Sequence, residues 1–129
     1  MTVPADLVNS FFRSIEAIDL EQALAHLTED VEYDNVPFGP VIGRSAVRAT
    51  LGPFLDGFEE VSWVVHHQLA SGSLDQGVVM NERVDRFRRG EQWLELRVAG
   101  LFVVRHGQIA VWRDYFDKES MFAAMAALG

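Results

Sequence analysis

NERVD at residues 81–85 is the stretch from which the fold and the chemistry of this sequence are most directly inferred. It lies inside residues 78–88, where apolar and polar residues alternate as in a β-strand. Side chains two apart share one face of a strand, so Asn81, Arg83 and Asp85 point the same way. That face also carries apolar residues, which predicts a charged cluster facing the interior.

WRDYFD at residues 112–117 repeats this pattern on a second predicted strand. Asp114 shares a face with Trp112 and Phe116. Two inward carboxylates and one guanidinium are costly unless they pair. One cation cannot neutralise both acids, so one acid is expected to keep a proton, which provides a general acid beside a general base. The alternative is a structural salt-bridge network that ties neighbouring strands.

A third polar pair lies on an earlier predicted strand. Tyr33 and Asn35 are two residues apart and therefore share a face. A phenol and an amide there could hold a water molecule from which a nearby carboxylate removes a proton. The alternative is a half-buried tyrosine and an asparagine that forms the turn before Pro37.

The periodicity predicts helices first, then strands, then a closing helix. Apolar residues at helical spacing follow Pro4. Asp19 and Gln22 are expected to form a capping pair. Gly52-Pro53 is expected to bend or break a third helix. Strands are predicted from residue 31, and then from residue 61 to residue 116, with Gly100 as a bend. The predicted apolar faces of the first, second, third and last helices consist of Leu7, Val8, Phe11, Phe12 and Ile15; Leu20, Leu24 and Leu27; Val47, Leu51, Phe54, Leu55 and Phe58; and Met121, Phe122, Met125 and Leu128.

This order indicates an α+β fold in which a strongly curved mixed or antiparallel sheet wraps around the N-terminal helices. Such a cone encloses an apolar pocket, and we expect residues 1–129 to form one domain. The residues predicted to line the pocket are Phe54, Phe58, Phe87, Leu96, Val98, Trp112, Phe116 and Met121.

Composition excludes several classes of function. The sequence has no cysteine, so a thiolate metal site, a disulfide and a cysteine nucleophile are ruled out. The net charge of −8 argues against a nucleic-acid partner. No apolar run reaches membrane-spanning length, and we expect a cytoplasmic protein. His66 and His67 are adjacent and should point to opposite faces, while His26 and His106 are scattered, so we expect no metal site.

These motifs together resemble the limonene epoxide hydrolase family. The resemblance rests on Tyr33-x-Asn35-x-Pro37, the pair Gly43-Arg44, ERVD at residues 82–85 and WRDYFD at residues 112–117. They occur in the family's order and at similar spacing over nearly the whole chain. The resemblance implies a nuclear-transport-factor-2-like cone, usually homodimeric, and cofactor-free hydrolysis of an epoxide to a vicinal diol.

The resemblance also implies roles for single residues. Asp114, Tyr33 and Asn35 would hold the attacking water, Asp85 would protonate the epoxide oxygen, and Arg83 would bridge the two acids. The expected partners are a small apolar epoxide and water. The turn between residues 86 and 93 is shorter than the family's usual turn, which leaves the pocket rim and substrate size open.

Two other functions fit the same cone. A ketosteroid-isomerase-like or polyketide-cyclase-like enzyme could use Asp85 and Tyr33 to move a proton next to a carbonyl, although a bridging arginine favours ionised acids. A non-catalytic small-molecule-binding module would need a pocket but no pair of inward aspartates.

Overall fold

The computed structural model describes residues 3–128 as four helices and six strands. In chain order these are α1 (Pro4–Glu16), α2 (Leu20–Ala25), β1 (Leu27–Asn35), β2 (Gly39–Ile42), α3 (Arg44–Asp56), β3 (Glu60–Gly72), β4 (Gln76–Arg89), β5 (Gln92–Arg105), β6 (Gln108–Tyr115) and α4 (Lys118–Ala127).

All six strands belong to one mixed sheet in the order β2-β1-β6-β5-β4-β3. The pair β1–β6 is parallel and the other neighbours are antiparallel. The predicted α+β cone is therefore confirmed: the sheet curls around the helices. The parallel pair β1–β6 brings two strands that are distant in sequence side by side, and residues of both strands form the candidate site.

The core forms where α1 enters the curve of the sheet. Val8, Phe11 and Ile15 are fully buried, as their helical spacing predicts. Phe11 meets Trp112 edge to face at 4.9 Å between ring centroids, and Phe12 meets Phe102 in the same way at 5.5 Å. Aromatic edges against aromatic faces fix the helix on the sheet.

The second helix is shorter than predicted. It ends at Ala25, and Leu27 is the first residue of β1, not the last residue of the helix stripe. Asp19 caps this helix by accepting a hydrogen bond from the backbone N–H of Gln22 at 3.1 Å, as expected. Leu27 pairs with Ile109 in the parallel ladder, so tertiary pairing outweighs the helical spacing of its leucines.

Two further predictions need correction, and one strand was missed. α3 continues through Pro53, because the lost hydrogen bond falls on the exposed side of the helix at Ala49. Strand β2 was not predicted because it is only four residues long. His66 and His67 are both exposed, because a bulge between Val65 and His67 interrupts the alternation of the strand.

The last helix has a weaker apolar face than predicted. Asp117 caps it through the backbone N–H of Ser120 at 2.9 Å. Met121 and Met125 pack against the core, but Phe122 is 54% exposed. No helix among residues 3–128 is both long enough and apolar enough to cross a membrane.

Candidate active site

Arg83 is the centre of the polar cluster that the sequence predicts. Its side chain is fully buried and comes from β4, the strand that also carries Asp85. Nε donates to Asp85 Oδ1 at 2.7 Å, and Nη2 donates to Asp85 Oδ2 at 3.2 Å. Nη2 also lies 2.8 Å from Asp114 Oδ2 on β6. One guanidinium therefore bridges two buried carboxylates.

The sheet brings these groups together across β5. Gly100 on β5 is the register partner of both Asn81 on β4 and Asp114 on β6. Because Gly100 has no side chain, the guanidinium of Arg83 reaches over the middle strand towards Asp114. The sequence predicted a bend at Gly100; what the structure shows there is the close approach of its backbone to Arg83.

Aromatic rings also pack against the guanidinium. Its central carbon lies 4.8 Å from the centre of the Trp63 ring and 5.0 Å from that of Phe12. Cation–π attraction is stronger where water is absent, so these rings stabilise the charge while excluding solvent.

The charge balance of the cluster separates the roles of the two acids. The pKa of Asp85 is raised from 3.8 to about 7: burial raises it most, the charge and hydrogen bonds of Arg83 lower it, and the charge of Asp114 raises it. Burial alone would lower the pKa of Arg83, but the carboxylates of Asp114 and Asp85 outweigh burial and raise it. Arg83 therefore stays charged, and Asp85 can hold a proton near neutral pH.

Tyr33 and Asn35 lie beside Asp114 because β1 and β6 are parallel. Asn35 is the register partner of Asp114, and Tyr33 is that of Trp112. Burial raises the pKa of the Tyr33 hydroxyl well above its ordinary value, and Asp114 raises it further. Tyr33 is therefore a neutral phenol that can donate a hydrogen bond.

Asp114 has one oxygen committed to Arg83 and one that is free. Its Oδ1 is buried and has no hydrogen-bond partner in the protein. A buried carboxylate oxygen needs a donor, and the cavity that Asp114 lines together with Tyr33 and Asn35 leaves room for one. The arrangement can accept a proton from a small molecule held between these three side chains.

The cavity has a volume of about 200 Å³ and is mostly apolar. Of the predicted lining residues, Phe54, Phe87, Leu96, Val98, Phe116 and Met121 line it. Phe58 and Trp112 do not, which corrects the prediction at these two positions. Phe58 packs behind Phe54 and Phe87, each at 5.1 Å between ring centroids, and Trp112 is fully buried behind Tyr33.

The prediction missed part of the lining. Leu94 and Trp63 could have been found, because each lies on the inward face of its strand. Phe38 lies within the turn at residues 36–38 and had no periodic signal. The lining residues not predicted are Phe38, Thr50, Leu51, Trp63 and Leu94.

No group of three or more His, Asp or Glu side chains within residues 3–128 is placed to hold a metal ion.

Comparison with known proteins links this geometry to a family. Residues 2–127 match the family model "Limonene-1,2-epoxide hydrolase catalytic domain". Epoxide hydrolase EphG of Mycobacterium tuberculosis is 31% identical over 118 residues, which cover 92% of this chain and 76% of EphG.

Solved structures show the same cone. An M. tuberculosis LEH-like epoxide hydrolase superposes with a TM-score of 0.75 at 27% identity, covering 94% of this chain and 87% of that one. A putative polyketide cyclase from Xanthomonas campestris superposes with a TM-score of 0.70 at 20% identity, covering 93% and 94%, and shares the fold alone. Since the family match extends over nearly the whole sequence and EphG is similar along most of it, the chain belongs to the limonene-1,2-epoxide hydrolase family.

Proposed function

We propose that the protein is a cofactor-independent epoxide hydrolase that adds water to a small apolar epoxide in one step and releases a vicinal diol. The observation that carries the proposal is the unequal use of the two acids. Both bind Arg83, but only Asp114 keeps a buried oxygen without a partner, next to Tyr33 and Asn35. A base beside a water-sized polar site and an acid across the arginine are what direct hydration of an epoxide needs.

Asp85 is the proposed acid. Its longest bond to Arg83 is the 3.2 Å contact between Oδ2 and Nη2, and Nη2 keeps a shorter bond to Asp114. A proton on Oδ2 of Asp85 therefore displaces the weakest of the three contacts. That proton passes to the epoxide oxygen as the strained carbon–oxygen bond breaks.

Asp114 is the proposed base. Its free Oδ1 accepts a proton from the water that Tyr33 and Asn35 orient, and the water oxygen bonds to the ring carbon. The diol then carries one oxygen from water and one from the epoxide. Transfer of one proton from Asp114 to Asp85, through solvent, restores the starting state. Each proton transfer contributes about 10²- to 10⁴-fold.

The cavity favours a small substrate. A buried apolar cavity of about 150 Å³ holds a benzene ring, so the 200 Å³ here suits an epoxide with a single ring or a short chain. The lining offers apolar and aromatic contacts, which favour a substrate without charge.

Substrate turnover tests the proposal. The purified protein is incubated with epoxides of increasing size, a ketosteroid and a buffer blank, and products are separated by gas or liquid chromatography. Diol from the smaller epoxides supports the proposal. Isomerised ketosteroid without diol supports the isomerase alternative, and no product from any compound supports a binding module.

We also propose that the chain forms a homodimer through the outer face of the sheet. Val78 pairs with Val103, Met80 with Leu101, and Val103 with Val111, so their side chains form one apolar patch. Met80 is 53% exposed there. Large exposed apolar patches are typical of subunit interfaces. Light scattering should give twice the 14.5 kDa chain mass, and Met80→Glu should give the single mass. The cytoplasmic location remains a prediction.

A further inference from the structure

The fourth hydrogen bond of Arg83 goes to a group that the proposed chemistry does not use. Nη1 donates to Asn81 Oδ1 at 3.0 Å. Asn81 is 5% exposed and lies two residues before Arg83 on the same face of β4. The buried guanidinium thus has three polar partners, of which two are acids and one is a neutral amide.

Asn81 is itself fixed by a chain of amides. Its Nδ2 donates to Gln68 Oε1 on β3 at 3.0 Å, and Gln68 Nε2 donates to Asn9 Oδ1 on α1 at 3.1 Å. We call Asn81, Gln68 and Asn9 the amide relay. A guanidinium can only donate, so Asn81 must present its oxygen to Arg83 and its nitrogen to Gln68. The direction of every bond in the relay follows from the charge of Arg83.

Gly100 closes the other side of the guanidinium. A Cβ at position 100 would collide with Nη1 of Arg83 and would lie 2.9 Å from Asn81 Oδ1. Nη1 therefore lies in a slot between the Asn81 amide and the backbone of β5. A side chain that is held on both sides has one orientation available, so its contacts to Asp85 and Asp114 are set in advance.

We infer that Asn81 is a positioning residue: through the amide relay it orients Arg83, and as a neutral partner it leaves Asp85 and Asp114 to share one cation. This inference rests on the proposed function. A neutral partner at Nη1 leaves two acids for one cation, which is the balance that retains a single proton. The charged and titratable groups that face Arg83 are Asp85 from β4, Asp114 from β6 and Tyr33 from β1. The residues that α1, β3 and β5 place around Arg83 and Asn81 are neutral: Phe12, Trp63, Gln68, Gly100 and Phe102.

Two substitutions of Asn81 separate shape from charge. Asn81→Leu keeps the size but removes the acceptor, so Arg83 can turn away from the acids. We expect kcat to fall by about 10²-fold with KM little changed, the loss that a 1 Å misplacement produces. Asn81→Asp keeps the acceptor but adds a third acid. The alkaline limb of the pH profile should then move to higher pH, because added negative charge raises the pKa of Asp85.

Two further variants test the relay and serve as a control. Gln68→Leu removes the acceptor for Asn81, so kcat should fall, but less than in Asn81→Leu. Ser14→Ala removes another buried side-chain hydrogen bond of α1, to the backbone oxygen of Ser10 at 3.2 Å, and has no bond to Arg83. It should leave kcat and the pH profile unchanged even if the melting temperature falls.

A second readout does not need turnover. The carboxyl carbon of Asp85 is titrated by ¹³C NMR in the wild-type protein and in Asn81→Asp. A higher pKa of Asp85 in Asn81→Asp than in the wild type supports the inference, and superimposable titration curves overturn it. Unchanged kcat in Asn81→Leu also overturns it, and unchanged kcat in Gln68→Leu overturns the relay. If Asn81→Leu does not fold, the titration of Asn81→Asp decides. Absence of epoxide turnover in the wild type contradicts the proposed function and leaves the titration valid.

Discussion

Trp112 lies face to face with Tyr33, with ring centroids 3.9 Å apart and 18° between the ring planes. The parallel pairing of β1 with β6 puts the two residues at the same level. Trp112 is in turn held by the edge of Phe11. Trp112 was predicted to line the pocket, and instead it is the platform that fixes the ring of Tyr33 beside Asp114.

The hydroxyl of Tyr33 should matter more than its ring. Tyr33→Phe keeps the stack on Trp112 and removes one hydrogen bond to the proposed water. Initial rates on an epoxide should fall by about 10- to 160-fold if that bond contributes about 1.5–3 kcal/mol. The initial rate of Asn35→Ala should fall by a factor in the same range. Unchanged rates in both variants would place the water elsewhere in the cavity.

Replacing either acid by its amide should abolish diol formation. Asp85→Asn removes the proton donor, and Asp114→Asn removes the proton acceptor, while both keep the shape of the side chain. Chromatographic assay of the diol measures the loss, and circular dichroism shows that the fold is kept. Near wild-type turnover in Asp114→Asn would contradict its assignment as the base.

Arg83 should be required for stability as well as activity. Arg83→Ala leaves two buried carboxylates without their shared cation, and such a change costs about 3–5 kcal/mol of unfolding free energy. Arg48→Ala is the matched control, because Arg48 forms an exposed ion pair with Glu21. Loss of an exposed pair costs about 0–1 kcal/mol. Urea unfolding compares the two, and equal losses would contradict a bridging role for Arg83.

Stability should fall with rising pH because of Asp85. Its pKa is raised in the folded state, from 3.8 to about 7, so the folded protein binds the proton more tightly than the unfolded chain does. This contribution is complete below the unfolded pKa and is lost as pH rises through the folded value. The same proton loss should lower kcat/KM above pH 7, where the acid is ionised.

Asp85→Asn isolates this effect, because asparagine does not titrate. The melting temperature of the variant should depend less on pH than that of the wild type between the two pKa values. Parallel pH dependence in both proteins would show that other groups cause the change.

The sequence predicted the parts of the fold that have a clear period. Arg83, Asp85 and Asp114 were placed on inward faces by alternation alone, and the structure brings them into contact. Their chemical roles remain predictions, as does the extent of one domain over residues 1–129. Helix α1 was equally clear from its apolar spacing.

What the sequence did not show depends on pairing between distant segments. Leu27 fits the apolar face of a helix by its spacing, but its pairing with Ile109 places it in β1. The bulge beside His67 has no local signal in sequence. Asn81 was seen to face inward, but its bond to Gln68 depends on the register of β3 against β4, which a single sequence does not reveal.

The origin of the new oxygen tests the direct attack of water most directly. A single turnover is run in ¹⁸O-labelled water with enzyme in excess over an epoxide, and the diol and the peptides containing Asp85 and Asp114 are analysed by mass spectrometry. Attack by the water beside Asp114 predicts one labelled oxygen in the first diol formed and no label in either aspartate. An unlabelled first diol, with the label in Asp85 or Asp114, would instead show a covalent aspartyl ester and would contradict the one-step mechanism.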